Sequence, residues 1–182
     1  MRSAALRAAS QACADAQSIA VLVPGDTDEP LTAWSLRGLG LDIGDGPPVP
    51  LAVAIAGWLL AGRPAHVLGT QVAADRLQRF DAVLAMGDGS AARTDKAPLH
   101  VDPRATVLDE LCLAALERGD LQTLRTLDLA EQAAVGATGP AVWATVATLV
   151  GQVDDSVLLA QADPYGVQYL VAMWHGRWAD PA

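Results

Sequence analysis

Ala82-Val83-Leu84-Ala85-Met86-Gly87-Asp88-Gly89-Ser90 is the stretch on which the fold turns. A short apolar run stops at a polar, glycine-rich one, as a buried strand does when it gives way to a loop. The pattern occurs twice upstream. Ser18-Ile19-Ala20-Val21-Leu22-Val23 is a strand stopped by Pro24-Gly25, and His66-Val67-Leu68-Gly69 is a second short one. Helical segments separate them. Residues 2–17 carry apolar positions at helical spacing around Arg2, Arg7, Gln11 and Asp15. Residues 50–61 are an apolar helix with proline in its first turn and Gly62 as its stop, and residues 71–79 form another. Residues 24–49 are punctuated as a loop, with an edge strand expected at residues 36–43.

Downstream, residues 103–118 read as a long helix closed by Gly119-Asp120, followed by one or two shorter helices in residues 121–135. Gly139-Pro140 opens a further helix to about Val150. Strands at residues 156–160 and 167–174 flank Asp163-Pro164-Tyr165-Gly166, a turn too short for a parallel crossover, so they pair as an antiparallel hairpin. Short strands alternating with helices predict a single three-layer α/β domain over residues 1–182. Its central sheet is mostly parallel and the C-terminal hairpin lies at one side.

Composition narrows the functional classes. The 182 residues include 36 Ala, 25 Leu and no Asn, and Lys96 is the sole lysine beside 11 arginines. A net charge of −9 without a basic run excludes nucleic acid as a main partner, because phosphate binding needs clustered Lys and Arg. The longest apolar run, residues 50–61, falls short of the roughly 20 residues of a membrane span. The N-terminus has no continuous apolar segment of the secretory kind, so a cytoplasmic protein is expected. Cys13 and Cys112 read as buried reduced thiols, and three histidines (His66, His100, His175) are a thin supply of metal ligands.

In open parallel sheets ligands bind beyond the carboxyl ends of the strands, which places Gly87, Asp88, Gly89 and Ser90 at the expected functional rim. Two readings stand: the glycines let the backbone approach a ligand, or Asp88 and Ser90 satisfy loop amides. The densest polar segment, residues 93–104, holds Arg93, Lys96, His100 and Arg104. Asp102 before Pro103 is expected to cap the long helix. His100 is a base or ligand, or a solvated loop histidine. Tyr165 points into a rim cleft or covers the hairpin. Trp174 and Trp178, with His175, form an association surface between copies of the chain or belong to the core. GxSxG, HExxH, CxxC, the P-loop and GxGxxG at a strand–helix turn do not occur.

The order of residues 82–90, then Lys96-Ala97-Pro98, Asp102-Pro103-Arg104-Ala105 and Asp163-Pro164-Tyr165-Gly166-Val167-Gln168-Tyr169-Leu170-Val171-Ala172, resembles one family. It is similar to the class III extradiol (ring-cleaving) dioxygenase B-subunit-like proteins, in particular an uncharacterised actinobacterial branch. The likeness is closest over residues 82–174. It implies that competent relatives hold a non-haem iron or other divalent metal between histidines and a carboxylate. One of those histidines comes from an N-terminal strand and another follows a Gly-Asp-x-Ser pattern. Such chemistry needs about three firm protein ligands. Here Ala91 follows Ser90, and the chain starts in what reads as the first helix, without that strand.

The expectation is therefore a non-catalytic or repurposed member of this fold, without a metal centre or cofactor, binding a small molecule or a protein partner. The alternative is an enzyme of altered chemistry on a small anionic or aromatic substrate. Asp88, Ser90, Lys96 and His100 would then be the acid, base and anchoring groups, with Arg93 or Arg104 holding the anion. A third reading is an oligomeric structural protein that associates through the C-terminal tryptophans.

Overall fold

The computed structural model describes residues 1–180. The chain divides into two compact units, one spanning Ala9–Met86 and the other comprising Met1–Ala8 with the chain from Gly87 on.

The first unit is built on a sheet. The last residues of helix α1 (Arg2–Ala12), from Ala9 on, belong to this unit and are followed by β1 (Ile19–Val23), β2 (Asp28–Leu31), α2 (Leu51–Leu60), β3 (Ala65–Gly69), the short α3 (Ala74–Leu77) and β4 (Ala82–Ala85). The strand order is β2-β3-β1-β4. Strand β1 runs parallel to both neighbours, with Val21 opposite Val67 on one side and Leu84 on the other. All five β1 residues are buried, which is why this strand reads as an unbroken apolar run rather than an alternating one. Ile19, Val21 and Val23 point to one face. There they pack with Val67, Ala82 and Leu84 against Val53, Ala56 and Leu60 of α2 and against Ala9 and Cys13. Each large aliphatic side chain so buried contributes roughly 1.5–3 kcal/mol. Asp81 ties the start of β4 to that of β1. Its Oδ2 accepts hydrogen bonds from the amides of Gln17 and Ser18 at 3.0 and 2.9 Å and from the Ser18 hydroxyl at 2.9 Å.

Three details differ from expectation. The edge strand is β2, antiparallel to β3, not residues 36–43. It carries Asp28, Glu29 and Pro30, and charge and proline are suited only to an edge, where one side of the ladder is unpaired. Residues 36–43 instead close on themselves around a 3-10 turn at Arg37–Leu39, with the Leu36 amide donating to the Ile43 carbonyl at 2.9 Å. Helix α2 stops one residue early, because Ala61 itself takes the left-handed conformation at φ 51°, and Gly62 follows at φ 87°.

The second unit holds α4 (Arg104–Arg118), α5 (Leu121–Arg125), α6 (Leu129–Ala134), α7 (Gly139–Leu149), and a hairpin of β5 (Val150–Ala162) and β6 (Tyr169–Trp178). The hairpin forms its own two-stranded antiparallel sheet, in which Ser156 faces Trp174 and Ala162 faces Tyr169. Its core joins Cys112, Ala115 and Leu116 of α4 to Leu124, Trp143 and Ala147, with Leu170, Ala172 and Trp174 packed against them. Trp174 is half-buried, and its indole donates to the Leu116 carbonyl at 2.7 Å. Both strands are longer than expected. The polar first half of β5, with Gly151, Asp154 and Asp155, pairs through register shifts between residues 150 and 160, and such bulges break the two-residue alternation by which a strand is recognised. The chain is thus α/β, with a mixed but mostly parallel sheet and an antiparallel C-terminal hairpin. Among the described residues, no helix is long and apolar enough to cross a membrane.

Candidate functional site

The polar run after β4 belongs to the second unit, and its backbone is engaged there at Asp88, Gly89 and Ser90. The Asp88 amide donates to the Thr138 hydroxyl at 3.0 Å, and the Asp88 carbonyl accepts from the amides of Thr138 and Gly139 at 3.0 and 2.7 Å. Gly89 and Ser90 pair with Gln168: the Gly89 amide donates to the Gln168 carbonyl at 2.9 Å, and the Gln168 amide to the Ser90 carbonyl at 3.0 Å. The glycines permit these approaches. A Cβ on Gly87 would stand 2.5 Å from the Gly139 Cα, and one on Gly89 would stand 2.7 Å from both Asp109 Oδ1 and Gln168 Cβ. Protein atoms, not open space, lie where those side chains would be.

Beneath this run is a buried polar network. Asp109, on the inner face of α4, has a side chain only 2% exposed. Its Oδ1 accepts from the Ser90 amide at 2.8 Å, and its Oδ2 accepts from the Ser90 hydroxyl at 2.5 Å and from Arg93 Nη1 at 3.1 Å. The same Nη1 donates to Gln168 Oε1 at 2.9 Å, and Arg93 Nε lies 3.4 Å from Asp163 Oδ2. A carboxylate so buried is stable only when paired and hydrogen-bonded, and here three donors meet it. The network forms one wall of a cavity of about 310 Å³, whose lining includes Arg93, Glu110, Leu113, Gln161, Asp163 and Gln168. That is the small end of the roughly 300–1,000 Å³ usual for ligand pockets.

The sequence-predicted residues separate into two sets. Ser90 and Arg93 come together in the network. Gly87, Asp88 and Gly89 build the adjoining loop, but Lys96, His100, Arg104 and Tyr165 do not line the cavity. Lys96 and His100 are exposed. Arg104 is paired with Asp102 at 2.7 Å, and Asp102 Oδ1 also accepts the Arg104 amide at 2.9 Å, which caps the start of α4 as expected. These bonds from Arg104 hold the Asp102 carboxyl down at about 2. Tyr165 is 77% exposed, with its backbone at φ 58°. Partial burial raises the Asp88 carboxyl above its ordinary value, and Tyr169 is raised by burial and by the Asp88 charge. Cys112 is pushed up to about 12 by burial and by Asp109, so it is no nucleophile at neutral pH.

Asp109 and Gln168 went unrecognised in the sequence. Asp109 does carry a signal: with Ala105, Cys112 and Leu116 it stands at spacings of four, three and four on one helical stripe, and all four are buried. A lone acid on an apolar stripe implies a buried partner.

The donors do not fit the metal centre that the dioxygenase resemblance implies. His66 lies on β3, bonded to Asp28 with Arg76 beside it at 3.0 Å. His100 is in an exposed loop, and His175 is exposed on β6, opposite Asp155. Ala91 occupies the position after Ser90 and offers no ligand atom in its side chain. Among the described residues, no three His, Cys, Asp or Glu side chains converge as a ligand set. No family model and no curated protein matches the chain.

Proposed function

We propose that the protein is a small-molecule-binding module, a repurposed member of the extradiol-dioxygenase-like fold that works without a metal centre. On this reading the parallel sheet is the central layer of a three-layer α/β domain, and the cavity beside Arg93 and Gln168 is the binding site. The observation that carries it is the state of Ser90. The hydroxyl of the Gly-Asp-Gly-Ser run is wholly buried and donates to Asp109. The run therefore serves to hold Arg93 and Gln168 in place rather than to present a reactive group, and a preorganised polar wall with no nucleophile suits binding.

A screen of small polar compounds by thermal shift tests this. A ligand at one hundred times its Kd adds about 2.7 kcal/mol of stability. Such stabilisation should be lost in a Leu113→Trp variant, which fills the cavity from α4 without touching the network. Stabilisation that survives Leu113→Trp, or none by any compound, would count against the reading.

The second reading, an enzyme of altered chemistry, rests on Asp88. Its raised carboxyl, near Tyr169, is the kind of group used in proton transfer. Asp88 is not on the cavity wall, so catalysis there would need a separate substrate site.

A further inference from the structure

Arg93 is the only cationic side chain on the cavity wall among the described residues, and its charge is already spent. Asp109 meets it at 3.1 Å and Asp163 at 3.4 Å. Glu110, on the same wall, is exposed and makes no ion pair among the described residues. One guanidinium thus stands against three carboxylates. An anionic ligand would meet a guanidinium already paired with two carboxylates, while facing Glu110. A cation would meet an unneutralised carboxylate at once.

Gln168 supplies an independent observation. The residue is 5% exposed and lines the cavity. Its Oε1 is taken by Arg93 at 2.9 Å, while its Nε2 meets no acceptor in the protein among the described residues. Only Ser35 Oγ and Gln132 Oε1 are buried side-chain atoms without a partner among the described residues, so Nε2 reaches solvent at the cavity wall, where a ligand that brings an acceptor would take the place of water.

Taking the cavity as the binding site proposed above, we infer that its ligand is a small organic cation with an oxygen acceptor beside the ammonium group, of the amino-sugar or amino-amide class. The ammonium lies toward Glu110 and Asp163, and the oxygen accepts from Gln168. The anionic substrate expected from Arg93 in the sequence is disfavoured by the same charge balance.

Paired probes test this by NMR on the intact chain, reading the side-chain signals of Gln168 and Arg93. Glucosamine is set against glucose, glycinamide against acetamide, and succinate and inorganic phosphate serve as anions. The expected result is that the two amines shift both signals more strongly than their neutral partners, with the anions silent. Glu110→Gln, an exposed change that leaves the buried network intact, should weaken the amines by about two- to fivefold, the worth of one exposed ion pair. Equal binding of amine and neutral partners, or binding by the anions alone, would overturn the inference and leave the cavity as a binding site. Silence from every probe would overturn the inference, and the separate loss of any Leu113-sensitive ligand in the wider screen would remove the binding-site reading as well.

Discussion

Ser90 and Asp109 are joined twice: the Ser90 hydroxyl donates to Asp109 Oδ2 at 2.5 Å and the Ser90 amide to Oδ1 at 2.8 Å. A loop residue and a helix residue nineteen positions apart in sequence are thereby fixed in register, and the second Asp109 oxygen is left to orient Arg93. Removing the acceptor leaves the Ser90 donors unpaired and takes away Arg93's buried counter-charge. Asp109→Ala should therefore destabilise the protein by about 3 kcal/mol in urea unfolding. Ser90→Ala should cost about 1–2 kcal/mol. The double variant should cost less than the sum, because the two residues share one interaction. Additive effects would show that the pair is not the unit described.

The raised carboxyl of Asp88 has a definite sign. Its folded-state value lies above its unfolded one, because burial disfavours the charged form. Across the interval between the two values the folded state binds more protons, so stability falls as pH rises through it. Above that interval the protein carries the full cost of ionising a half-buried carboxylate. Asp88→Asn should be more stable than the parent at pH 7, and the gap should close on acidification below the ordinary aspartate range. Unfolding free energies measured across pH for both proteins would check this; a gap independent of pH would contradict it.

Helix α2 contains a glycine where alanine is normally worth about 1 kcal/mol more. At Gly57 that gain should reverse. An added Cβ would come within 2.6 Å of the Trp34 indole nitrogen and closer still to the ring carbons. Gly57→Ala should destabilise by about 1–3 kcal/mol, as overpacking does, and change the fluorescence of Trp34. A stabilised variant would show that Trp34 does not lie on this face of α2.

Tyr165 presents the opposite case. Its φ of 58° strains any residue but glycine, and its side chain is 77% exposed, so little packing is at stake. Tyr165→Gly should stabilise by about 1 kcal/mol, whereas Tyr165→Ala, which keeps the strain, should not. Thermal unfolding of the three proteins distinguishes these outcomes.

The parts of the fold legible in the sequence are those where burial is uniform. Every residue of β1 is buried, and α2 buries Val53, Ala54, Ala56, Gly57 and Leu60 with none of its residues charged, and their apolar runs say so. Legibility fails where an element is half in water. Strand β2 reads Asp-Glu-Pro-Leu because it is an edge, and the first half of β5 is masked by exposed aspartates and shifted register. Similar limits apply to the site. Ser90 and Arg93 stood out as polar residues after a strand, but their partners lie nineteen and seventy-five residues away. A glutamine such as Gln168 carries no periodicity or charge that would mark it as the far wall of a cavity. Lys96, His100 and Arg104 were conspicuous by chemistry alone, and chemistry without burial placed them on the surface.

A binding site that works without a metal should leave the purified chain free of stoichiometric metal. Elemental analysis of freshly purified protein, prepared without chelators, measures this. The scattered histidines and the engaged Ser90–Asp109 pair predict far less than one iron, manganese or zinc per chain. One bound redox metal per chain would contradict the account, and would mean that the donors rearrange to form a centre that the fold does not otherwise display.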